Sequence, residues 1–175
     1  MTYNPNIHHR RSIRLKNYDY SRAGAYFVTL CTHNRECLFG EIIRGELALN
    51  QFGKTADQMW MDIGTRFPHV ELDEYVIMPN HMHAILVFTA SVGAIHESPL
   101  RMSVRERRNM ALPKLIGRFK MLSAKRINEL RHTSGTPVWQ RNYYEHIIRN
   151  ENDLNRIRKY IMENPLKWGE DRYHA

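Results

Sequence analysis

Apolar and polar positions switch between two periods along the chain, and the switches mark out the elements. From Ala25 the run Tyr26-Phe27-Val28-Thr29-Leu30-Cys31 is β-branched, aromatic or apolar and predicts a strand. Phe39-Gly40-Glu41-Ile42-Ile43 and Glu46-Leu47-Ala48-Leu49 read as two short strands joined by a turn at Arg44-Gly45. Phe52, Ala56, Met59, Ile63 and Phe67 then recur at offsets of 4, 7, 11 and 15, one face of a buried helix. Asn50 can cap that helix, and Pro68 helps to stop it. Leu72 to Met78 predicts another strand, and Pro79-Asn80 suits the centre of a β-turn, so the strand that starts at His81 should pair back on it.

Periodicity vanishes from Thr89 to Leu112, which predicts a long mobile connection over 89–112. Pro113 opens a helix running to about Arg131, with Leu115, Phe119, Leu122 and Leu130 on its buried side. Thr133 to Pro137 is a loop, and Val138 to Ile148 reads as extended. Asn152 or Asp153 can cap a last helix ending at Pro165, with Leu154, Ile157 and Ile161 as its apolar stripe. The order predicts an α+β fold, a ferredoxin-like β-α-β-β-α-β antiparallel sheet with helices on one face and an added C-terminal helix. A basic arm at 1–23, one domain at 24–168 and a tail at 169–175 describe the organisation.

Charge narrows the partners. The 175 residues hold 26 Lys+Arg against 18 Asp+Glu, a net +8 that favours polyanions. Arg10, Arg11 and Arg14 sit in the N-terminal arm, interleaved with tyrosines that could stack on bases. Lys114, Arg118 and Lys125 share a second face of the helix that follows Pro113, and these six side chains are the candidate phosphate contacts. No apolar run reaches the roughly 20 residues of a spanning helix. A cytoplasmic protein with no membrane partner is therefore expected, and Cys31 and Cys37 read as structural.

The candidate chemistry centres on His81-Met82-His83, where strand alternation puts both imidazoles on one face. With 10 His in the chain a chance His-x-His is expected about one half of the time, so its context must carry the reading. Two imidazoles with a carboxamide oxygen would make a mixed N/O set for a divalent ion, and Asn164 could be that third ligand. Tyr160 lies four residues before Asn164 on the same flank of the last helix, within reach as a nucleophile. Tyr143 and Tyr144 are its rivals, and His33, His69 and His146 are further histidines that could approach a metal.

Three blocks in this order, GAYFVTLCTHNRECLFGEI at 24–42, VIMPNHMHAILVF at 76–88 and VWQRNYYEHIIRNENDLNRIRKYIMENPLKW at 138–168, resemble the HUH-class single-tyrosine transposases. Within that class the chain is most similar to the REP-associated tyrosine transposases. The resemblance implies a metal-dependent endonuclease and strand transferase acting on single-stranded or hairpin DNA, with REP-like palindromes as candidate targets. It implies Tyr160 as the nucleophile that leaves a 5′-phosphotyrosine link, and His81, His83 and Asn164 as ligands of Mg²⁺ or Mn²⁺. Insertion-sequence relatives carry Gln where this chain has Asn164, a shorter side chain. A homodimer sharing its sites and a monomer acting alone both fit. The alternative reading is a non-catalytic single-strand nucleic-acid binding module; a third is a metal-dependent hydrolase of small phosphoesters.

Overall fold

The computed structural model describes residues 23–89 and 111–174. In chain order these form β1 (Gly24–Cys31), β2 (Gly40–Ile43), β3 (Glu46–Leu49), α1 (Gln51–Arg66), β4 (Val70–Met78), β5 (His81–Phe88), α2 (Ala111–Leu130), β6 (Tyr144–Ile148) and α3 (Glu151–Glu163). Short 3-10 turns lie at His33–Arg35 and Trp168–Glu170. Four strands make an antiparallel sheet in the order β4-β5-β1-β6, while β2 and β3 form a separate hairpin. That order is ferredoxin-like, and the expected α+β class is the one found.

The helices do not all lie on one face. Tyr26, Val28 and Leu30 of β1, with Met82, Ala84, Leu86 and Phe88 of β5, share a core with α1 and α2. Phe27 and Ile85 point the other way and meet Ile157 and Ile161 of α3. The physical reason lies in β5, where every residue but Val87 is buried. A strand that is apolar at consecutive positions needs cover on both sides, and α3 supplies the second layer.

Local details also shift. On α1 the buried residues are Gly53, Ala56, Trp60 and Ile63, so the face is turned toward Trp60, with Phe52, Met59 and Phe67 at its rim. On α2 the buried apolar side chains include Leu112, Leu115, Ile116, Phe119 and Ile127, while Leu122 and Leu130 are half-buried. Asn50 caps α1 as expected, its side chain accepting from the Phe52 and Gly53 amides. The cap of α3 is Asn150 rather than Asn152 or Asp153. Its Oδ1 accepts from the Asp153 N–H, which leaves the Asp153 carboxylate free to receive His146 and Arg156.

Of the stretch expected to be extended, only Tyr144–Ile148 joins the sheet, paired with β1. Ahead of it, Lys120 donates to the carbonyls of Gln140 and Asn142, and burial pushes its amine down to about 8. Most of the expected 89–112 connection lies outside the described residues, and α2 already begins at Ala111. No helix among the described residues is long and apolar enough to cross a membrane.

Trp60 is 0 % exposed and Met61 is 43 % exposed. Trp60→Ala is expected to destabilise the fold by about 3–5 kcal/mol. Met61→Ala should stay within about 0.5 kcal/mol. Urea denaturation midpoints at equal m-values check both, and comparable losses would contradict this packing.

A candidate metal centre and its tyrosine

Met78 pairs with His81, so Pro79-Asn80 is a two-residue turn that delivers β5 directly into its histidines. Alternation places His81 and His83 on the α3 side, while Met82 enters the core shared with α1 and α2. Both imidazoles are fully buried. α3 is held over them by a clamp on the edge strand. The β4 register shifts between Leu72 and Tyr75. At this irregularity the Asp73 carboxylate receives both Nε and Nη2 of Arg158. The Arg158 hydrogen bond is the main reason the Asp73 carboxyl lies below its usual range. Two residues further along α3, the Tyr160 hydroxyl lies 3.1 Å from His83 Nε2.

The two Nε2 atoms are 3.1 Å apart. The side chain of Asn80 settles the tautomer of one ring. Its Nδ2 donates to the Tyr173 carbonyl at 2.7 Å, so its Oδ1, 2.8 Å from His81 Nδ1, must accept the ring N–H. Neutral His81 therefore presents a bare Nε2. Thr29 Oγ1 lies 2.8 Å from His83 Nδ1 and can hold that ring the same way. Burial pushes His81 down to about 4, against the opposing pull of Asp171 and Asn164. Burial, with His81 beside it, also drives His83 well below its usual value. Both rings are neutral at pH 7, the form that ligates metals.

Oxygen donors complete the cluster. His81, His83 and Asp171 offer ligand atoms that all lie within 4.8 Å of one another, a group that could hold a metal ion. Asn164, 3 % exposed, caps the C-terminus of α3 and donates from Nδ2 to Asp171 Oδ2 at 2.9 Å. Its Oδ1 is buried with no hydrogen-bond partner. A buried carbonyl oxygen left unpaired is costly. Two neutral imidazole nitrogens, a carboxylate and this orphaned oxygen fit a borderline divalent cation.

Within the segment assigned as a C-terminal tail, residues 169–174 are described, and they fold back as a roof over the His pair. The Tyr173 ring lies 4.7 Å from that of His81 and 5.7 Å from that of His83, and Trp168 stacks on His81 at 6.0 Å. Asp171, Tyr173, Thr29 and Asn80 were not singled out for the site from sequence. Asp171 carries a weak signal, since Glu170 and Asp171 are the only acidic residues after Pro165.

Tyr160 is 40 % exposed. Burial raises its phenol pKa, Asp171 adds to the rise and Arg172 opposes it. Of its rivals, Tyr143 packs against the core on the α1 and α2 side, and Tyr144 lies on the α3 side with its ring edge-on to Phe27. His146 pairs with Asp153, and His69 is exposed. Lys114, Arg118 and Lys125 are exposed on α2, across the sheet from the His pair. Arg10, Arg11 and Arg14 lie outside the described residues.

No protein-family model matches the chain. An uncharacterized protein of Haemophilus influenzae is 42% identical over 180 residues, spanning 99% of this chain and 97% of that protein. A REP-associated tyrosine transposase bound to a REP hairpin superposes with a TM-score of 0.56 at 20% identity, over 93% of this chain and 77% of the other. The fold expected from the resemblance to HUH-class transposases is thus the one found.

Because the folded pKa of His81 lies below that of a free imidazole, unfolding takes up protons as pH falls. The contribution to stability is whole above about 6.5 and is lost toward about 4. In chelator, urea midpoints should fall across that window, and less steeply in His81→Gln. An equal fall in the variant would show that other groups carry the acid sensitivity.

Proposed function

We propose that this chain, which belongs to one family with the Haemophilus influenzae protein and shares its fold with a REP-associated tyrosine transposase, is a metal-dependent single-stranded DNA endonuclease and strand transferase. The observation that carries the reading is the convergence of His81 Nε2, His83 Nε2 and the Tyr160 hydroxyl within successive 3.1 Å contacts, beside the unpaired Asn164 Oδ1. His81, His83 and Asp171 would hold the ion, with Asn164 Oδ1 as a further donor. Mg²⁺ or Mn²⁺ bound there would supply positive charge against the phosphodiester.

Tyr160 Oη attacks phosphorus and the bond from phosphorus to the 3′ oxygen breaks. The phenol proton is lost and the 3′ oxygen gains one, leaving a 5′-phosphotyrosine and a free 3′-OH. Reversal by another 3′-OH rejoins the strand without a nucleotide cofactor. The α3 clamp on Asp73 keeps the phenol at the His pair, and Phe27 supports both, stacked on His83 at 5.3 Å and edge-on to Tyr160 at 6.1 Å. The contact of Tyr160 with His83 of its own chain supports the reading that the reaction runs within one subunit. Hairpin DNA, including REP-like palindromes, is the substrate class to test first, and Lys114, Arg118 and Lys125 are candidate contacts for a stem rather than for the reacting phosphate.

Incubation with Mn²⁺ and labelled single-stranded hairpins is expected to yield a covalent adduct that chelator and Tyr160→Phe each abolish. An adduct that survives Tyr160→Phe refutes the nucleophile; salt-sensitive binding with no adduct under any metal favours the non-catalytic module. Mixing His81→Ala with Tyr160→Phe chains should not restore cleavage, and restoration would show that subunits share their sites.

For the ligand set, calorimetric titration with Mn²⁺ should show affinity falling about tenfold or more in Asp171→Asn and in Asn164→Ala. Unchanged binding in Asp171→Asn would remove the carboxylate from the set.

A further inference from the structure

Beside Tyr160, on the same side of the sheet, lies a guanidinium that the strand-transfer chemistry does not yet use. Arg172 is exposed. Its Cζ lies 4.7 Å from the centre of the Tyr173 ring and 5.6 Å from that of Tyr144, and its Nη2 donates to the Tyr173 hydroxyl at 2.6 Å. Among the described residues no carboxylate forms an ion pair with it. Tyr144 is 42 % exposed. It and Tyr160 both lie edge-on to one buried ring, Phe27, at 6.3 and 6.1 Å. The α3 side of the sheet thus carries two exposed phenol rings that both contact Phe27, with the Arg172 guanidinium over the ring of Tyr144.

We propose that Tyr144 and Arg172 form a nucleotide subsite next to the reacting phosphate, Tyr144 stacking on the adjoining base and Arg172 pairing with its phosphate. An exposed aromatic ring beside a guanidinium that has no carboxylate partner among the described residues matches a single strand, whose unpaired bases offer π-faces and whose tetrahedral phosphates offer two oxygens to a bidentate fork. A duplex would hide the base, and a small phosphoester would have none to stack. Stacking ignores base identity, so the subsite grips the strand without reading it. The Tyr144 hydroxyl has no part in this, which separates the subsite from a role as second nucleophile.

The proposal rests on the reading of single-stranded DNA as substrate. It is tested by fluorescence anisotropy with a labelled twelve-residue oligothymidylate, in chelator, on full-length Tyr160→Phe chains. Arg172→Gln is expected to weaken binding about tenfold and to lower the slope of log affinity against log salt by about 0.7, one single-strand phosphate contact. Arg172→Lys should keep the slope. Tyr144→Ala should weaken binding about tenfold at unchanged slope, and Tyr144→Phe should bind as the parent does. Unchanged affinity and slope in Arg172→Gln, tighter binding in it, or a Tyr144→Phe loss equal to that of Tyr144→Ala would each overturn the subsite. Since neither metal nor Tyr160 takes part, binding that follows this pattern in a chain that forms no adduct keeps the subsite and removes only the strand transfer.

Discussion

One buried carboxamide ties the site together. Asn80 is 0 % exposed; its oxygen receives the Nδ1 proton of His81, and its nitrogen donates to the carbonyls of Tyr173 and Arg35. Those partners come from the following strand, the C-terminal segment and the turn after β1. A residue chosen by its turn geometry thus also sets an imidazole tautomer and fastens the roof. Asp in its place could accept from His81 but could not donate to either carbonyl, and would bury a charge. The site is therefore built backward from the β4–β5 turn, and the histidines inherit their orientation from it.

Burial of the pair explains both its chemistry and its energetic burden. The two Nε2 atoms lie 3.1 Å apart in a fully buried pair of neutral rings, and the neighbouring Asn164 Oδ1 is unpaired. Such a cluster is a local cost that the rest of the fold offsets, through the α3 layer and through the aromatic roof. The Arg158 clamp on Asp73 belongs to the same arrangement, because it sets where α3 crosses the sheet and so where Tyr160 ends.

What was legible in the sequence followed from periodicity. Strand alternation placed His81 and His83 together, and helical spacing placed Tyr160 and Asn164 on one flank; the structure brings the two pairs into one cluster. The tight Pro79-Asn80 turn and the hairpin at Arg44-Gly45 were equally readable, since turn chemistry is local. Asp171 and Tyr173 were not, because residues 165–174 have no long helix or strand and nothing local tells where an irregular segment folds back. The placement of α3 on the second face was hidden for a related reason: the continuous apolar run of β5 says that it needs two covers, but not which helix provides the second. At the start of α3, Asn152 and Asp153 are capping types as much as the actual cap Asn150, so residue type alone does not single it out.

Net charge pointed to a polyanion but not to a surface. The stripe of Lys114, Arg118 and Lys125 lies on the exposed side of α2, so a helix roughly 10 Å across and the sheet itself stand between it and Tyr160. That exceeds a Debye length of about 8 Å at physiological salt, so the stripe barely influences a phosphate at the phenol. Among the described residues, Arg172 and Arg35 are exposed cations near the His pair, both against Tyr173, and their field adds to the burial that lowers the pKa of His81. On the proposed reading, a strand that contacted the far stripe would be a second segment of the nucleic acid, while the reacting segment would answer to the few charges on the α3 side. A folded-back DNA, with a stem and a single-stranded flank, offers two such segments in one molecule.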